Sequence, residues 1–301
     1  SRYRAILDEI PGSLQVHRHL GQLLLQTGRR VEAASHFKYL LLAGSLNQEE
    51  LRCFLMLSKP FPQDANSSRL EPLTQLARAR NEMAIGREKE AIKLLDSEEV
   101  LDLVSAAFKA RLDADQDDFE SVRQWASSHG SRPSGSDGWF AMGRLAANEQ
   151  DHAQAIRCFS KSLIMDPTDA EAYEKFSESL RSLKDLETAE EANKRARLIR
   201  ETQEIGSKLA IDQNQDRSRI AKLMLLLQQL NRPLEVLGWK SVDLVFAVTE
   251  AAMSEPEAEA VFLAIGQKRE QLVRSGQHET PTSFILCGLD IDRYDVEDPR
   301  P

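Results

Sequence analysis

The chain has 301 residues, with 39 basic and 48 acidic side chains for a formal charge of -9, and it is 41% hydrophobic but only 6% aromatic. That balance argues against an all-β domain, which carries more aromatic and β-branched runs and more turn glycines. It also argues against general nucleic-acid binding, which uses clustered Lys and Arg to displace phosphate counterions.

Taken in chain order, Ser1–Ile10 reads as a helix stopped by Pro11. A helical pair follows from Leu14 to Asn47, with Leu20, Gly21, Leu24, Gly28, Ala33 and Phe37 at helical spacing. Asn47 with Glu50 forms a capping box that opens another helix through Leu51–Leu57. Ser58–Ser68 is irregular, with Pro60, Pro62 and Asn66 as turn signals. The next pair carries Ala79 and Ala91, with Glu82 where the spacing calls for an apolar residue. Glu98–His129 reads as two helices, and Ser131–Ser136 as a linker. Ser136–Asp169 and Ala170–Gln203 are consecutive pairs without a gap. The pair near Arg217–Glu250 keeps Ile220, Leu223, Leu227 and Trp239 but has the larger Met224 and Val236 at its contact, so its helices are expected further apart. Ser254 with Glu257 caps a last helix bearing Val261, Phe262, Ile265 and Leu272. The expected organisation is an N-terminal array over 1–130, a second array with a capping helix over 131–275, and an extended acidic tail or linker over 276–301.

One spacing recurs. Gly21 and Ala33, Ala79 and Ala91, Gly143 and Ala155, and Ser177 and Ala189 are small pairs twelve residues apart. Small side chains facing one another let two helix backbones approach closely. In Ser136–Asp169 the residues Trp139, Gly143, Ala155, Phe159 and Pro167 fall at positions 4, 8, 20, 24 and 32 of a helix-turn-helix frame of about 34 residues. Tyr173, Phe176, Ser177, Leu180, Ala189 and Ala196 repeat the pattern. Pro167 ends a helix, and Thr168 with Glu171 reads as the capping box of the next.

These residues resemble the tetratricopeptide repeat family, and Asp166–Tyr173 resembles its inter-repeat junction. The resemblance implies an all-α fold, a right-handed superhelical solenoid of antiparallel helix pairs, several of them degenerate. Asn193 replaces the usual aromatic at position 24 of its repeat. In the same frame Pro11 and Tyr3 make Ser1–Ile10 the second helix of a repeat whose first helix lies upstream, so the chain is expected to be part of a longer one and to self-associate through this unpaired helix.

No catalytic pattern is present. Cys53, Cys158 and Cys287 form no CxxC or Cys/His cluster, and His17, His19, His36, His129, His152 and His278 form no HExxH. There is no Walker loop, no G-x-S-x-G elbow and no dinucleotide fingerprint. Asp290–Asp295 fails as a calcium loop because Asp295 stands where glycine is needed and Pro301 where glutamate is needed. No apolar run reaches the roughly 20 residues of a membrane span. The reading is of a non-enzyme with no cofactor, no metal, no nucleic-acid partner and no membrane insertion. The three unpaired cysteines favour a cytoplasmic setting, with export open if the chain belongs to a larger protein.

In the family the first helix of each repeat lines a concave groove. Carried over, the resemblance places Gln15, Arg18, His19, Gln22 and Gln26 in the groove from the first pair. It adds Asp137, Arg144 and Asn148 beside Phe140, then Glu171, Glu174, Lys175, Glu178 and Arg181. Arg144 stands where a carboxylate-clamp repeat has Asn, and the clamp lysines are absent, so a longer polar or basic peptide is expected. The function expected is a protein-interaction scaffold. The alternative is an accessory region of a larger multidomain enzyme or surface protein. The chain also resembles tetratricopeptide regions that precede FG-GAP-type β-propeller domains in large bacterial proteins, with Leu289–Tyr294 as the connecting strand.

Overall fold

The computed structural model describes residues 2–65, 70–129, 133–211 and 216–294, which fold as helices joined by short turns, with no strand among them. The first helices are α1 (Arg2–Glu9), α2 (Leu14–Gln26), α3 (Arg30–Leu42), α4 (Gln48–Arg52) and α5 (Pro62–Ala65). Next come α6 (Gln75–Ala84), α7 (Glu88–Asp96), α8 (Leu103–Asp115), α9 (Phe119–His129), α10 (Gly135–Asn148) and α11 (His152–Met165). The chain continues through α12 (Ala170–Ser182), α13 (Leu186–Ile211), α14 (Arg217–Gln229), α15 (Pro233–Thr249), α16 (Glu255–Arg274) and α17 (Thr282–Ile285).

One turn is used repeatedly. The pairs α2/α3, α6/α7, α8/α9, α10/α11, α12/α13 and α14/α15 each hinge on a left-handed residue: Gly28, Gly86, Asp117, Gln150, Lys184 and Asn231. In each, that residue and the next donate to the preceding helix, as Gln150 N does to Ala147 O at 3.0 Å and Asp151 N to Ala146 O at 2.9 Å. The paired bonds satisfy carbonyls that a helix end leaves open. This local identity makes the architecture repeat-like.

Within the pairs the contact is closer than a small–small pairing alone. A Cβ on Gly21 would lie 2.7 Å from the Phe37 ring, and one on Gly143 would lie 2.6 Å from the Phe159 ring. The aromatic of the second helix thus lies flush on the backbone of the first, while Ala33 and Ala155 are fully buried. In α12/α13 the small position does a second job, because the Ser177 hydroxyl donates to Ala189 O at 2.7 Å.

The chain divides into two compact units. One comprises Leu73–Ile199 with Pro281–Pro301 and is called unit 2; the other, unit 1, comprises Ser1–Pro72 with Arg200–Thr280. In unit 2, α10 packs on α8, α9, α11 and α12. The core of Ala110, Ala114, Val122, Ala141 and Leu145 crosses the division expected at residue 130. The linker expected over Ser131–Ser136 lies partly outside the described residues, and its last two positions already belong to α10.

From Pro281 to Tyr294 the tail expected to be extended is instead folded into unit 2, and 295–301 lie outside the described residues. Ile285, Leu286 and Leu289 are buried, and Tyr173 donates to Ile285 O at 2.9 Å. Arg195 lies 4.0 Å over the Phe284 ring. The apolar run Phe284–Leu289 is the physical reason, because it has surface to bury that an extended tail would leave in water. The connecting strand expected at Leu289–Tyr294 ends as a 3-10 turn over Ile291–Tyr294.

Unit 1 departs from the solenoid expectation. A solenoid repeat touches only its neighbours, whereas here α15 packs on both α3 and α4. Two helical glycines mark the approach: a Cβ on Gly238 would lie 2.6 Å from Leu51, and one on Gly206 would lie 2.7 Å from Leu55. Distant side chains also satisfy the backbone after α4. Gln203 donates to Leu55 O at 3.2 Å, Arg232 to Phe54 O, and Arg30 to Met56 O and Leu57 O at 3.3 and 3.2 Å. Arg52 returns the contact by donating to Gly206 O at 2.9 Å. These bonds satisfy carbonyls of the 3-10 turn Cys53–Leu55 and of the two residues after it where the chain lies buried.

Two capping boxes form as read, at Asn47 with Glu50 and at Ser254 with Glu257. The third is corrected. Asp169, not Thr168, caps α12 by accepting from Ala172 N at 3.1 Å. Thr168 turns back instead, donating through N and Oγ1 to Asp166 Oδ1 at 2.9 and 2.6 Å.

Candidate functional site

Unit 2 contains a ladder of arginines over aromatic rings. Arg80 on α6 lies 4.2 Å over Phe108 of α8, and Arg111 on α8 lies 4.0 Å over Phe140 of α10. Each guanidinium covers the aromatic about one repeat further on. Carboxylates hold the ladder from the side: Arg80 donates to Asp137 at 2.6 Å, and Arg111 reaches Asp169 at 2.5 Å, Glu171 at 3.2 Å and Asp137 at 3.4 Å. Arg111 is 2% exposed. A charge so deep is tolerated only when paired on several sides.

The third arginine, Arg144 on α10, breaks the ladder. It lies 5.8 Å from Phe119 of α9 and splits its donors between Asp115 at 3.4 Å and Asp117 at 2.8 Å. Arg195 approaches Tyr173 at 5.9 Å, in the place the ladder would give to Arg144.

Beside Arg144 unit 2 opens a cavity of about 320 Å³. Arg144, Asn148, Lys175 and Glu178 line it, joined by Asp117, Phe119, His152, Ser179 and Ser182. Lys175 and Glu178 pair at 3.0 Å. The order of depth matters: Asp117 and Glu178 are 75% and 60% exposed at the side chain, against 14% for Arg144 and 30% for Lys175. In each of these two ion pairs the carboxylate is the more exposed partner and the cation the more buried one. His152 contributes a ring nitrogen, Nδ1, that is buried without a hydrogen-bond partner.

No family model matches the chain, and no curated protein matches it.

Four of the residues expected in the groove therefore meet at one cavity. Glu171 is drawn to Arg111, Glu174 is half-buried on α12, and Arg181 is exposed 3.7 Å from Glu190. Phe140 is corrected: it is fully buried beneath Arg111 and edge-on to Phe159 at 5.8 Å, so it is core and not groove. Asp137, 5% exposed, is likewise committed to Arg80 and Arg111.

The residues expected from α2 belong to unit 1. Gln15 is exposed, and Gln22 and Gln26 are half-buried. His19 is stacked on Tyr3 with centroids 5.8 Å apart. Arg18 is bound to the start of α4, pairing with Glu50 at 2.6 Å and donating to Ser45 O. It holds the same Glu50 that closes the capping box.

The frame missed Arg111, Asp115 and Asp117, which lie on or after α8, a helix whose repeat fit was loose. For Arg111 the signal was the recurrence of Arg80, Arg111 and Arg144 about one repeat apart. Among the described residues no group of three or more His, Cys, Asp or Glu could hold a metal ion, and no helix is long and apolar enough to cross a membrane. Burial pushes the Cys158 and Cys287 thiols up to about 11, opposite to what a nucleophilic cysteine needs.

Proposed function

We propose that this chain is a non-catalytic protein-interaction scaffold of the tetratricopeptide type, and that unit 2 holds a polar or basic peptide segment of its partner at the Arg144–Lys175 cavity. The observation that carries the reading is the convergence of Arg144, Asn148, Lys175 and Glu178 on one opening. The family frame assigned these residues to inward faces of successive first helices. In both of its ion pairs the carboxylate is the more exposed partner, which favours a cationic segment by charge complementarity. The ladder beneath supports the role, because a buried, multiply paired Arg111 fixes α8, α10 and α12 against one another and presents the rim as a preformed surface.

The test uses the whole chain immobilised and three peptides of equal length, one lysine-rich, one glutamate-rich and one neutral. The lysine-rich peptide is expected to bind best, and the double variant Asp117→Lys with Glu178→Lys to lose most of that binding. Equal capture of all three peptides, or unchanged capture by the variant, would overturn the reading.

A further inference from the structure

Asp115 is the last residue of α8 and sits between two guanidiniums, with Arg111 Nε at 4.0 Å and Arg144 Nη1 at 3.4 Å. Its side chain is 12% exposed. Among the described residues, Asp117, Asp137, Asp169 and Glu171 share the guanidiniums of Arg80, Arg111 and Arg144 with it. Lys109 on the same helix is taken by Asp113 at 3.0 Å and Asp96 at 3.5 Å. Lys175, on α12, is taken by Glu178. A buried carboxyl crowded by other carboxylates ionises at a cost, which taking up a proton relieves. Asp115 is the member best placed to accept it, since its two contacts are long while Asp137 and Asp169 each hold an arginine at 2.6 Å or less.

We infer that the charge on Asp115 controls how the Arg144–Lys175 cavity holds a cationic partner, so that taking up a proton there weakens the grip. The inference rests on the reading of that cavity as a site for a basic peptide. With Asp115 ionised, Arg144 is matched by two carboxylates, and the more exposed Asp117 and Glu178 set the potential at the mouth. With Asp115 protonated, Arg144 has Asp117 alone. Its charge then cancels that carboxylate, and the opening becomes more positive by one unit. At a separation of several ångströms and an intermediate effective dielectric, one charge is worth about a fivefold change in binding a nearby cation. The titration of Asp115 has the matching direction: burial raises its carboxyl, Glu171 and Asp169 add to the rise, Arg111 and Arg144 oppose it, and the result is about 7.

His152 also lines the cavity, so the experiment must separate the two groups. The probe is a tetralysine peptide, whose side chains stay charged throughout, titrated into the full chain near pH 8 and near pH 6. Wild type is expected to bind about fivefold more weakly near pH 6. Asp115→Asn is expected to bind at the weaker level at both pH values, and His152→Gln to keep the wild-type pH dependence. Binding of equal strength at both pH values in wild type, or a pH dependence lost in His152→Gln and kept in Asp115→Asn, would overturn the inference and leave the peptide site standing. Absence of tetralysine binding at either pH would overturn both.

Discussion

Arg111 donates to Asp169 at 2.5 Å across 58 residues of chain, with both side chains buried. That bond joins the middle of α8 to the N-cap of α12, and the same carboxylate accepts from Ala172 N. One aspartate therefore starts a helix and anchors the arginine ladder.

Removing Arg111 should be far more damaging than removing an exposed arginine. Arg111→Ala leaves Asp137, Asp169 and Glu171 without their shared cation, and breaking a buried ionic group costs about 3–5 kcal/mol. Arg123→Ala, whose partners Glu120 and Glu149 are solvent-exposed, should cost less than about 1 kcal/mol. Urea unfolding followed by circular dichroism is expected to show a lower midpoint for the first variant and little change for the second.

The carboxylates of this region give an unusual pH dependence. Asp115 is raised to about 7, chiefly by burial, and Asp166 to about 6, by burial and the nearby Asp169. A carboxyl raised in the folded state binds its proton more tightly there than in the unfolded chain. Its stabilisation is complete below the ordinary carboxylate range and is lost as pH climbs through about 6 to 7. With respect to these two groups, unit 2 should be more stable near pH 5 than near pH 8. Asp115→Asn should flatten that slope and raise the melting temperature near pH 8, read by thermal denaturation at a series of pH values.

Three helical glycines separate packing from propensity. Gly21→Ala and Gly143→Ala drive a methyl into Phe37 and Phe159, at 2.7 and 2.6 Å, and overpacking of this kind costs about 1–3 kcal/mol. Gly266→Ala on α16 meets nothing within 4 Å and should stabilise by about 0.5–1 kcal/mol through lower unfolded-state entropy. Melting temperatures of the three variants check both signs.

These glycines also show why part of the fold was legible in the sequence. Gly21 with Phe37 and Gly143 with Phe159 are contacts inside one helical pair, where spacing along the chain translates directly into faces of a helix. The hinge at Lys184 or Gln150 carries no such mark, because neither is a glycine, yet both adopt the left-handed turn. The assembly of unit 1 was not legible because periodicity says nothing about which distant helices meet. Arg52 and Gly206 touch across 154 residues, and the only trace was a glycine inside a helix. At the candidate site the frame found Arg144, Asn148, Lys175 and Glu178 but put Phe140 on the surface. The arginine that covers that ring comes from the preceding pair, and a single-repeat frame does not see it.

The proposed binding of a basic segment to unit 2 at the Arg144–Lys175 cavity is open to direct measurement. Amide hydrogen exchange by mass spectrometry, with and without saturating tetralysine peptide near pH 8, tests it most directly. Slowed exchange is expected, confined to the α8–α9 turn at Asp117, the end of α10 around Asn148 and the middle of α12 around Lys175 and Glu178. Unchanged exchange at these segments, or protection centred on α2 around Gln15 and Gln22, would contradict it.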